Sequence, residues 1–263
     1  YGHPTIGAMA DLDAATVTDV HRFFDHHYRP SRAVLSLVGD ITERHALALA
    51  GQYFGQLPAR PGRRRPRTAS LPAHAGVPRR DVTAVVPRDC VYVAWRLPPV
   101  GHPDLEPLGL ATSVLGEGIT SRLYQALVRT ELAEGAGAFL MSLARGNSIA
   151  VAFARCWDDV PVERLEQALV TAWDELVRTG PTEPEHARAV AQFTREWLSE
   201  LSALDQRADR IGQATTLLND PAWINTRLAT VRALSRDQVA AAVQRWLPSD
   251  QRAVLTYRAQ EAA

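Results

Sequence analysis

The sequence predicts an α+β organisation of two similar modules built from helices and strands, of which the first is present only as its C-terminal part. Three observations indicate this. Amphipathic helix patterns alternate with short apolar runs typical of buried strands. A stretch rich in proline and arginine divides the chain unequally. A residue pattern near the N-terminus recurs near the C-terminus. The predicted domains are residues 1–57, a linker at 58–78, and residues 79–263.

The dividing stretch at 58–78 contains five prolines and five arginines. Proline fixes φ and removes an amide donor, and neighbouring arginines repel one another, so we expect this segment to be extended and solvated. The chain as a whole carries 29 basic and 29 acidic residues, and no aromatic residue interrupts the arginine run. A nucleic-acid partner is therefore not expected.

Composition sets further bounds. With 263 residues, 46% of them hydrophobic, the chain can bury a sizeable core. Two cysteines exclude a disulfide scaffold and fit a reducing compartment or core positions. No apolar run approaches the roughly 18 residues that a membrane span needs, so no membrane partner is expected.

Before the linker, the pattern predicts a helix, a strand and a helix. Thr16 caps the first helix, with Asp19 at its third position. Residues 32–38 read as a strand buried on both faces. Thr42 caps the second helix and Gly55 ends it.

After the linker, the same signals predict strands, then helices, then a final strand. The glycine-rich residues 135–138 are unsuited to a helix. The predicted elements are strands 82–86 and 90–97, helices from 104 to 115 and from 121, a hairpin of strands 139–143 and 149–154 around 145–147, a helix at 162–177, one long helix from 184 past 217, helices 223–231 and 235–247, and strand 252–257.

The two ends of the chain share one pattern. Residues 16–35 and 235–255 each begin with a capped helix, continue through a proline turn and reach the tetrapeptide Arg-Ala-Val-Leu. The tetrapeptides begin at Arg32 and Arg252, an offset of 220 positions. If the second copy begins near Asp81, about 140 residues of the first module, an ordinary domain length, are expected upstream of Tyr1.

Four landmarks occur in a specific order: "YGHPTIG", "HHYRPSRAVLSLVGD", "QYFGQLP" and "LGEGITSRLYQALVR". In this order the sequence resembles the pitrilysin or insulinase-like zinc metallopeptidases, in the short form that includes bacterial processing proteases and mitochondrial processing peptidase. The resemblance covers nearly the whole chain. It implies two similar modules, each a mixed sheet with helices on one face, which close around an extended peptide.

The family's catalytic centre is an inverted motif, His-x-x-Glu-His, with a further Glu downstream. Two imidazoles and a carboxylate hold Zn²⁺, and the Glu of the motif deprotonates the bound water. None of the eight histidines here belongs to such a motif. The resemblance places the motif in the upstream part of the first module. No catalytic residue and no metal ligand is predicted on this chain, and Zn²⁺ is expected for the intact family enzyme.

Two pairs of residues that include histidine are the alternatives for a metal site. His26 and His27 are adjacent on a helix and are expected to diverge by about 100°. Glu183 and His186 have a chelating spacing but belong to a capped, solvated first turn. Neither pair is predicted to bind metal.

The family's second module also carries an arginine, and a tyrosine seven residues later, that bind substrate near the zinc. Here the register places Val128 and Gly135 at these positions, so the pair is broken. Arg122, Tyr124 and Arg129 are the candidate substrate-binding residues, because a guanidinium donates to peptide carbonyls in a fixed fork. The competing interpretation is a surface arginine on a helix.

Two functions follow as hypotheses. In the first, the chain is the substrate-enclosing C-terminal portion of a zinc metalloendopeptidase, inactive alone, whose partners are a catalytic half and an extended peptide held at a strand edge. The alternative is a non-catalytic homologue that serves as a structural or binding subunit beside a homologous partner. In both, the helices at 16–28 and 42–54 expose apolar faces. We expect the chain to self-associate or to pack residues 1–57 against its second module.

Overall fold

The computed structural model describes residues 6–58, 76–144, 146–157 and 159–260. Most of the predicted linker and the first residue of the predicted hairpin turn, Arg145, lie outside the described residues.

The first part of the chain forms three helices, α1 at Met9–Ala14, α2 at Val17–His27 and α3 at Glu43–Phe54. The predicted caps are confirmed: the Asp19 amide donates to Thr16 Oγ1 at 3.2 Å, and the His45 amide donates to Thr42 Oγ1 at 3.3 Å. No residue of these three helices is buried.

The predicted buried strand at 32–38 is wrong. These residues begin in a 3₁₀ turn at Pro30–Arg32, continue through Ala33 with extended angles, and pair with no described strand. Val34, Leu35 and Leu37 are 44–53% exposed. A strand is stabilised by hydrogen bonds to a neighbouring strand, and no described strand lies beside this segment to provide them.

A five-stranded mixed sheet organises the described part of the chain after the linker. Its strands are β1 at Arg79–Ala84, β2 at Cys90–Leu97, β3 at Ala133–Met141, β4 at Ser148–Cys156 and β5 at Ala253–Ala259. Their spatial order is β1-β5-β2-β4-β3, with β1 parallel to β5 and the other neighbours antiparallel. The predicted α+β class with a mixed sheet is confirmed.

Six helices accompany the sheet. They are α4 at Leu105–Gly116, α5 at Val162–Thr179, α6 at Glu183–Ser202, α7 at Leu204–Leu218, α8 at Trp223–Arg232 and α9 at Arg236–Trp246. A short helical segment with a π-type turn, Tyr124–Val128, lies between α4 and β3. Among the described residues, no helix combines the length and apolar composition needed to cross a membrane.

The main core lies between one face of the sheet and these helices. At its centre Trp95 of β2 stacks on Trp173 of α5, with ring centroids 3.5 Å apart and planes at 3°. The two indoles donate to successive main-chain carbonyls, those of Pro248 and Leu247. Because buried indole N–H groups need acceptors, these bonds attach the turn after α9 to the core.

Two predictions about element boundaries are wrong by more than three residues. The single long helix from residue 184 is two helices, because Ala203 has extended backbone angles and α7 packs back against α6. Arg207 donates to the Leu201 carbonyl at 2.9 and 2.6 Å and so satisfies a terminal acceptor of α6. The strand predicted to begin at Phe139 begins at Ala133 and includes the glycine-rich residues 135–138.

The repeated pattern has matching local structure in both copies. Each copy has a capping box, at Thr16 and at Ser235, followed by a helix of 11 residues. A 3₁₀ turn follows each helix, at Pro30–Arg32 and Ser249–Gln251, and extended backbone comes next. The second copy forms β5 inside the sheet, whereas the first is exposed.

Candidate functional site

The sheet has two chemically different faces. Along β2, the side chains of Val91, Val93 and Leu97 are fully buried beneath the helices. Tyr92 and Arg96 alternate with them, and their side chains are half-buried on the opposite face. Successive side chains of a strand point to opposite sides, so this alternation separates a covered face from a second face.

We call this second face the open face. It comprises Arg80, Val82 and Ala84 of β1; Cys90, Tyr92, Ala94 and Arg96 of β2; Gly135, Gly137, Phe139 and Met141 of β3; Ile149, Val151, Phe153 and Arg155 of β4; and Ala253, Leu255, Tyr257 and Ala259 of β5. Phe139 and Met141 are 44% and 48% exposed, so the β3 end of the face is open to solvent.

Aromatic side chains occupy the middle of the open face. Tyr92 stacks on Phe153 with ring centroids 6.1 Å apart, and meets Tyr257 edge to face at the same distance. Burial raises the pKa of the Tyr92 hydroxyl, so this group is a neutral donor at physiological pH. Burial likewise raises the pKa of the neighbouring Cys90 thiol, against the opposing effects of Tyr92 and Arg155.

Two glycines make a hollow at the β3 side of this face. A Cβ at Gly137 would lie 3.0 Å from the Phe153 ring, and one at Gly135 would lie 3.5 Å from Arg155 Nη2. The side chains of Phe153 and Arg155 on β4 therefore lie over β3. A side chain at position 135 or 137 would meet them, which explains the glycines in this strand. The Arg155 guanidinium thus lies over Gly135, the position where the resemblance places the missing tyrosine.

The end of α4 packs tightly against β3. A Cβ on Gly116 would overlap the main-chain nitrogen of Ala138. α4 therefore covers the middle of this end strand. A peptide captured at a strand edge would have to avoid this part of β3.

Arg122, the first predicted site residue, lies in an ion pair within the helical layer. Its Nε and Nη2 atoms donate to the two carboxylate oxygens of Glu185, each at 2.8 Å, and Nη2 also donates to the Gly180 carbonyl at 2.9 Å. The two side chains are 13% and 16% exposed. Burial opposes ionisation of Glu185, but the Arg122 pair and the Thr182 cap outweigh it and lower its pKa to about 2. Arg122 therefore joins the π-type turn to the start of α6.

The other two predicted residues make local contacts of their own. Tyr124 is half-buried at the start of the π-type turn, where its amide donates to Ser121 Oγ at 3.4 Å. Arg129 is exposed just after that turn and donates to Gln125 Oε1 at 3.0 Å. None of the three belongs to the open face, so the structure does not bring them together with the aromatic cluster.

A comparison with protein families decides the affiliation. A family described as "Peptidase M16 inactive domain" matches residues 14–193. The chain belongs to this family. The resemblance to pitrilysin-like peptidases, and specifically to their C-terminal portion, is confirmed.

Individual relatives agree with this assignment. The chain is 26% identical over 211 residues to zinc protease PqqE of Helicobacter pylori, a match that covers 77% of this chain and 46% of that protein. A protease structure from H. pylori superposes with a TM-score of 0.86 at 21% identity, covering 96% of this chain and 61% of that one. A peptidase M16 inactive domain from Pseudomonas fluorescens superposes with a TM-score of 0.86 at 18% identity, covering 100% of this chain and 62% of that one. The chain thus spans about half of the curated relative and about three fifths of the two solved chains.

In the described part of this M16 inactive domain, the side chains able to bind zinc are scattered. Within the described ranges, no three His, Cys, Asp or Glu side chains are grouped closely enough to hold a metal ion. The rings of His26 and His27 lie 4.7 Å apart rather than diverging, but no such group includes them. The second pair, Glu183 and His186, belongs to no such group among the described residues either. The Glu183 carboxylate instead lies 3.7 Å from Nε of Arg236.

A separate cavity of about 570 Å³ lies in the helical layer, bordered by α4, α7 and α8. Beside it, the Arg227 guanidinium lies 4.6–4.9 Å from the ring centroids of Phe193, Trp197 and Trp223. Arg227 also donates to both carboxylate oxygens of Glu106, at 2.7 and 3.1 Å. Its cation is already paired and packed, so we interpret Arg227 as a link between helices.

Arg155 and the tyrosines of the open face were not among the predicted site residues. The available signal was the period-two alternation of β2 and β4, which separates Tyr92, Phe153 and Arg155 from the buried side chains. The family's Arg–Tyr spacing pointed instead to Arg122, Tyr124 and Arg129.

Proposed function

We propose that this chain forms the non-metal-binding wall of a zinc metalloendopeptidase chamber, and that a catalytic half supplies the zinc and the hydrolytic residues. The observation that carries the proposal is the sheet of an M16 inactive domain, covered by helices on one face and lined with aromatic residues on the other. The relatives named as zinc proteases extend well beyond the region matched. When bound by that other half, zinc would activate the water that attacks the peptide.

The first part of the chain supplies a surface for the catalytic half. Val17, Val20 and Phe24 lie on one side of α2 and are 57–73% exposed. A contiguous apolar patch of this kind marks an interaction site. On the proposed reading, the remainder of the first module covers it and gives the extended residues 33–38 a neighbouring strand.

The test is complementation between two polypeptides. A module carrying His-x-x-Glu-His, encoded upstream of Tyr1 or on a separate chain, is produced apart from this chain and mixed with it. We expect hydrolysis of a quenched fluorescent peptide only by the mixture, and loss of hydrolysis with a zinc chelator. Zinc-dependent hydrolysis by this chain alone would overturn the proposal.

A matched pair of variants locates the contact. Phe24→Asp puts a charge into the apolar side of α2 and should abolish complementation, because burying an unpaired carboxylate is costly. Thr18→Asp adds the same charge on another, exposed side of the helix and should leave complementation intact. Equal loss with both variants would argue against α2 as the contact.

The broken Arg–Tyr pair fits equally the alternative function, a non-catalytic subunit of a heteromeric peptidase or larger complex. Val128 and Gly135 stand where the family's substrate-binding arginine and tyrosine are expected. A stable complex with the partner that never hydrolyses peptides, together with a degenerate zinc motif upstream, would support this alternative.

A further inference from the structure

The paired strand positions of the open face carry more positive than negative charge. Arg80 and Arg155 occupy such positions, no Asp or Glu does, and the carboxylate that reaches Arg155 comes from Glu134 at the bulge of β3. The whole chain contains equal numbers of basic and acidic residues, so this imbalance is local.

On the covered face, the arginines are paired with carboxylates of a helix. Arg79 of β1 donates to Glu166 of α5 at 2.9 Å, and Arg258 of β5 donates to Glu163 of the same helix. Each cation on that side is thus neutralised by a helix that packs over it.

Arg155 has a weak partner by comparison. Its Nε lies 3.5 Å from a carboxylate oxygen of Glu134, at the bulge of β3, and both side chains are 47% exposed. An exposed pair at this distance contributes little. A ligand carboxylate that reaches the Arg155 guanidinium can therefore replace Glu134 with little loss of binding energy.

We propose that the open face selects extended peptides that carry acidic side chains. This inference rests on the proposed function, in which that face borders the substrate chamber. Arginine binds a carboxylate through two parallel hydrogen bonds, and the aromatic cluster of Tyr92, Phe153 and Tyr257 receives the apolar parts of the same peptide.

The register of the sheet sets the spacing of the acidic residues. Arg80 and Arg155 lie three strands and one side-chain row apart, which is about 16 Å. An extended peptide advances about 13 Å over four residues and points side chains i and i+4 the same way. Two glutamates four positions apart therefore reach both guanidinium groups.

A single-stranded nucleic acid also combines negative charge with stacking groups. The observations favour the peptide, because a neutral chain with widely spaced cations lacks the basic surface that phosphate recognition requires. Nucleic acid is therefore the competing outcome of the test.

The test measures fluorescence anisotropy of labelled peptides with the 263-residue chain. The peptides have about nine residues, the length of β4, with two glutamates, two lysines or two glutamines four positions apart. We expect the glutamate peptide to bind at least about tenfold more tightly than the lysine peptide at low salt, and this preference to shrink as salt rises.

Variants connect the preference to the face. Arg155→Glu and, separately, Arg80→Glu should remove the preference for glutamate. Arg195→Glu, on α6 with a side chain 74% exposed, should keep it. Circular dichroism identifies any variant that fails to fold.

The outcomes separate the two proposals. Equal binding of all three peptides overturns the acidic selectivity and leaves the peptide-binding wall intact. No binding of any peptide removes the peptide-binding wall and the selectivity with it. Tighter binding of a labelled oligonucleotide of equal length than of the glutamate peptide overturns the assignment to peptides.

Discussion

Replacing Glu185 by glutamine tests the strongest polar link in the helical layer. The substitution keeps the shape of the side chain and one acceptor oxygen, but removes the charge that pairs with Arg122 at 2.8 Å. The pKa of this carboxyl falls from 4.5 to about 2 in the folded protein. That difference corresponds to about 3 kcal/mol of stability at neutral pH. We expect Glu185→Gln to lower the free energy of unfolding by about 2–3 kcal/mol.

The pH dependence of this loss has a definite sign. Because the folded-state pKa of Glu185 lies below the unfolded-state value, its ionised form stabilises the fold fully above pH 4.5. The contribution disappears as the pH falls toward the folded-state pKa. The difference in unfolding free energy between the wild-type chain and the variant should fall to about half near pH 3.

Urea unfolding followed by tryptophan fluorescence measures this effect. All six tryptophans lie between Trp95 and Trp246, so the signal reports the part of the chain after the linker. Glu183→Gln is the matched control, because Glu183 belongs to the same helical turn but its side chain is 78% exposed and 3.7 Å from its partner Arg236. That variant should change stability by less than about 0.5 kcal/mol. Equal stability of Glu185→Gln and wild type at pH 7, or a difference that does not shrink in acid, would refute the reasoning.

Three further predictions concern the core and its thiol. Trp173→Phe removes a stacked indole and leaves a main-chain carbonyl unpaired, so urea unfolding should show a loss of about 2–4 kcal/mol. Gly116→Ala should cost about 2–3 kcal/mol in the same assay because its Cβ overlaps the backbone of Ala138, whereas Gly109→Ala in the same helix meets nothing within 4 Å and should gain up to about 1 kcal/mol. Burial raises the pKa of Cys156 to about 11, so iodoacetamide near pH 8 should leave it unmodified until urea unfolds the chain, as mass spectrometry will show. Equal costs for the two alanine variants, or rapid labelling of native Cys156, would contradict these expectations.

Local signals predicted most elements because they depend on neighbours in sequence. The capping boxes at Thr16 and Ser235 formed as expected, since each pattern satisfies its own helix terminus. The strand at Cys90–Leu97 was predicted to the residue, because its apolar positions are bounded by turn residues on both sides.

The predictions that were wrong depended on contacts between residues far apart in sequence. An apolar run such as residues 33–38 predicts a strand, but a strand also requires a neighbour, and none is described there. Glycines at 135 and 137 weaken a strand prediction, yet Phe153 and Arg155 of the adjacent strand fill the space above them. The break at Ala203 follows from the packing of α7 against α6, which no local pattern encodes.

The candidate site depended even more on tertiary structure. The helix at 122–129 carried the right residue types, but Glu185, 63 positions away, engages Arg122. The open face gathers its residues from all five strands, and only the strand order brings Arg80 and Arg155 to the same side.

The distribution of charge links the fold to the proposed function. On the covered face the arginines are paired within the chain, as Arg79 is with Glu166, although the Arg79 side chain is 41% exposed. A cation on a face that no helix neutralises stays hydrated, so its strongest partner can arrive with a ligand. If the chain used both faces for packing, Arg155 would need an internal carboxylate closer than Glu134 at 3.5 Å. The asymmetry between the two sides of one neutral chain is therefore the physical reason to look for an acidic peptide on the open face.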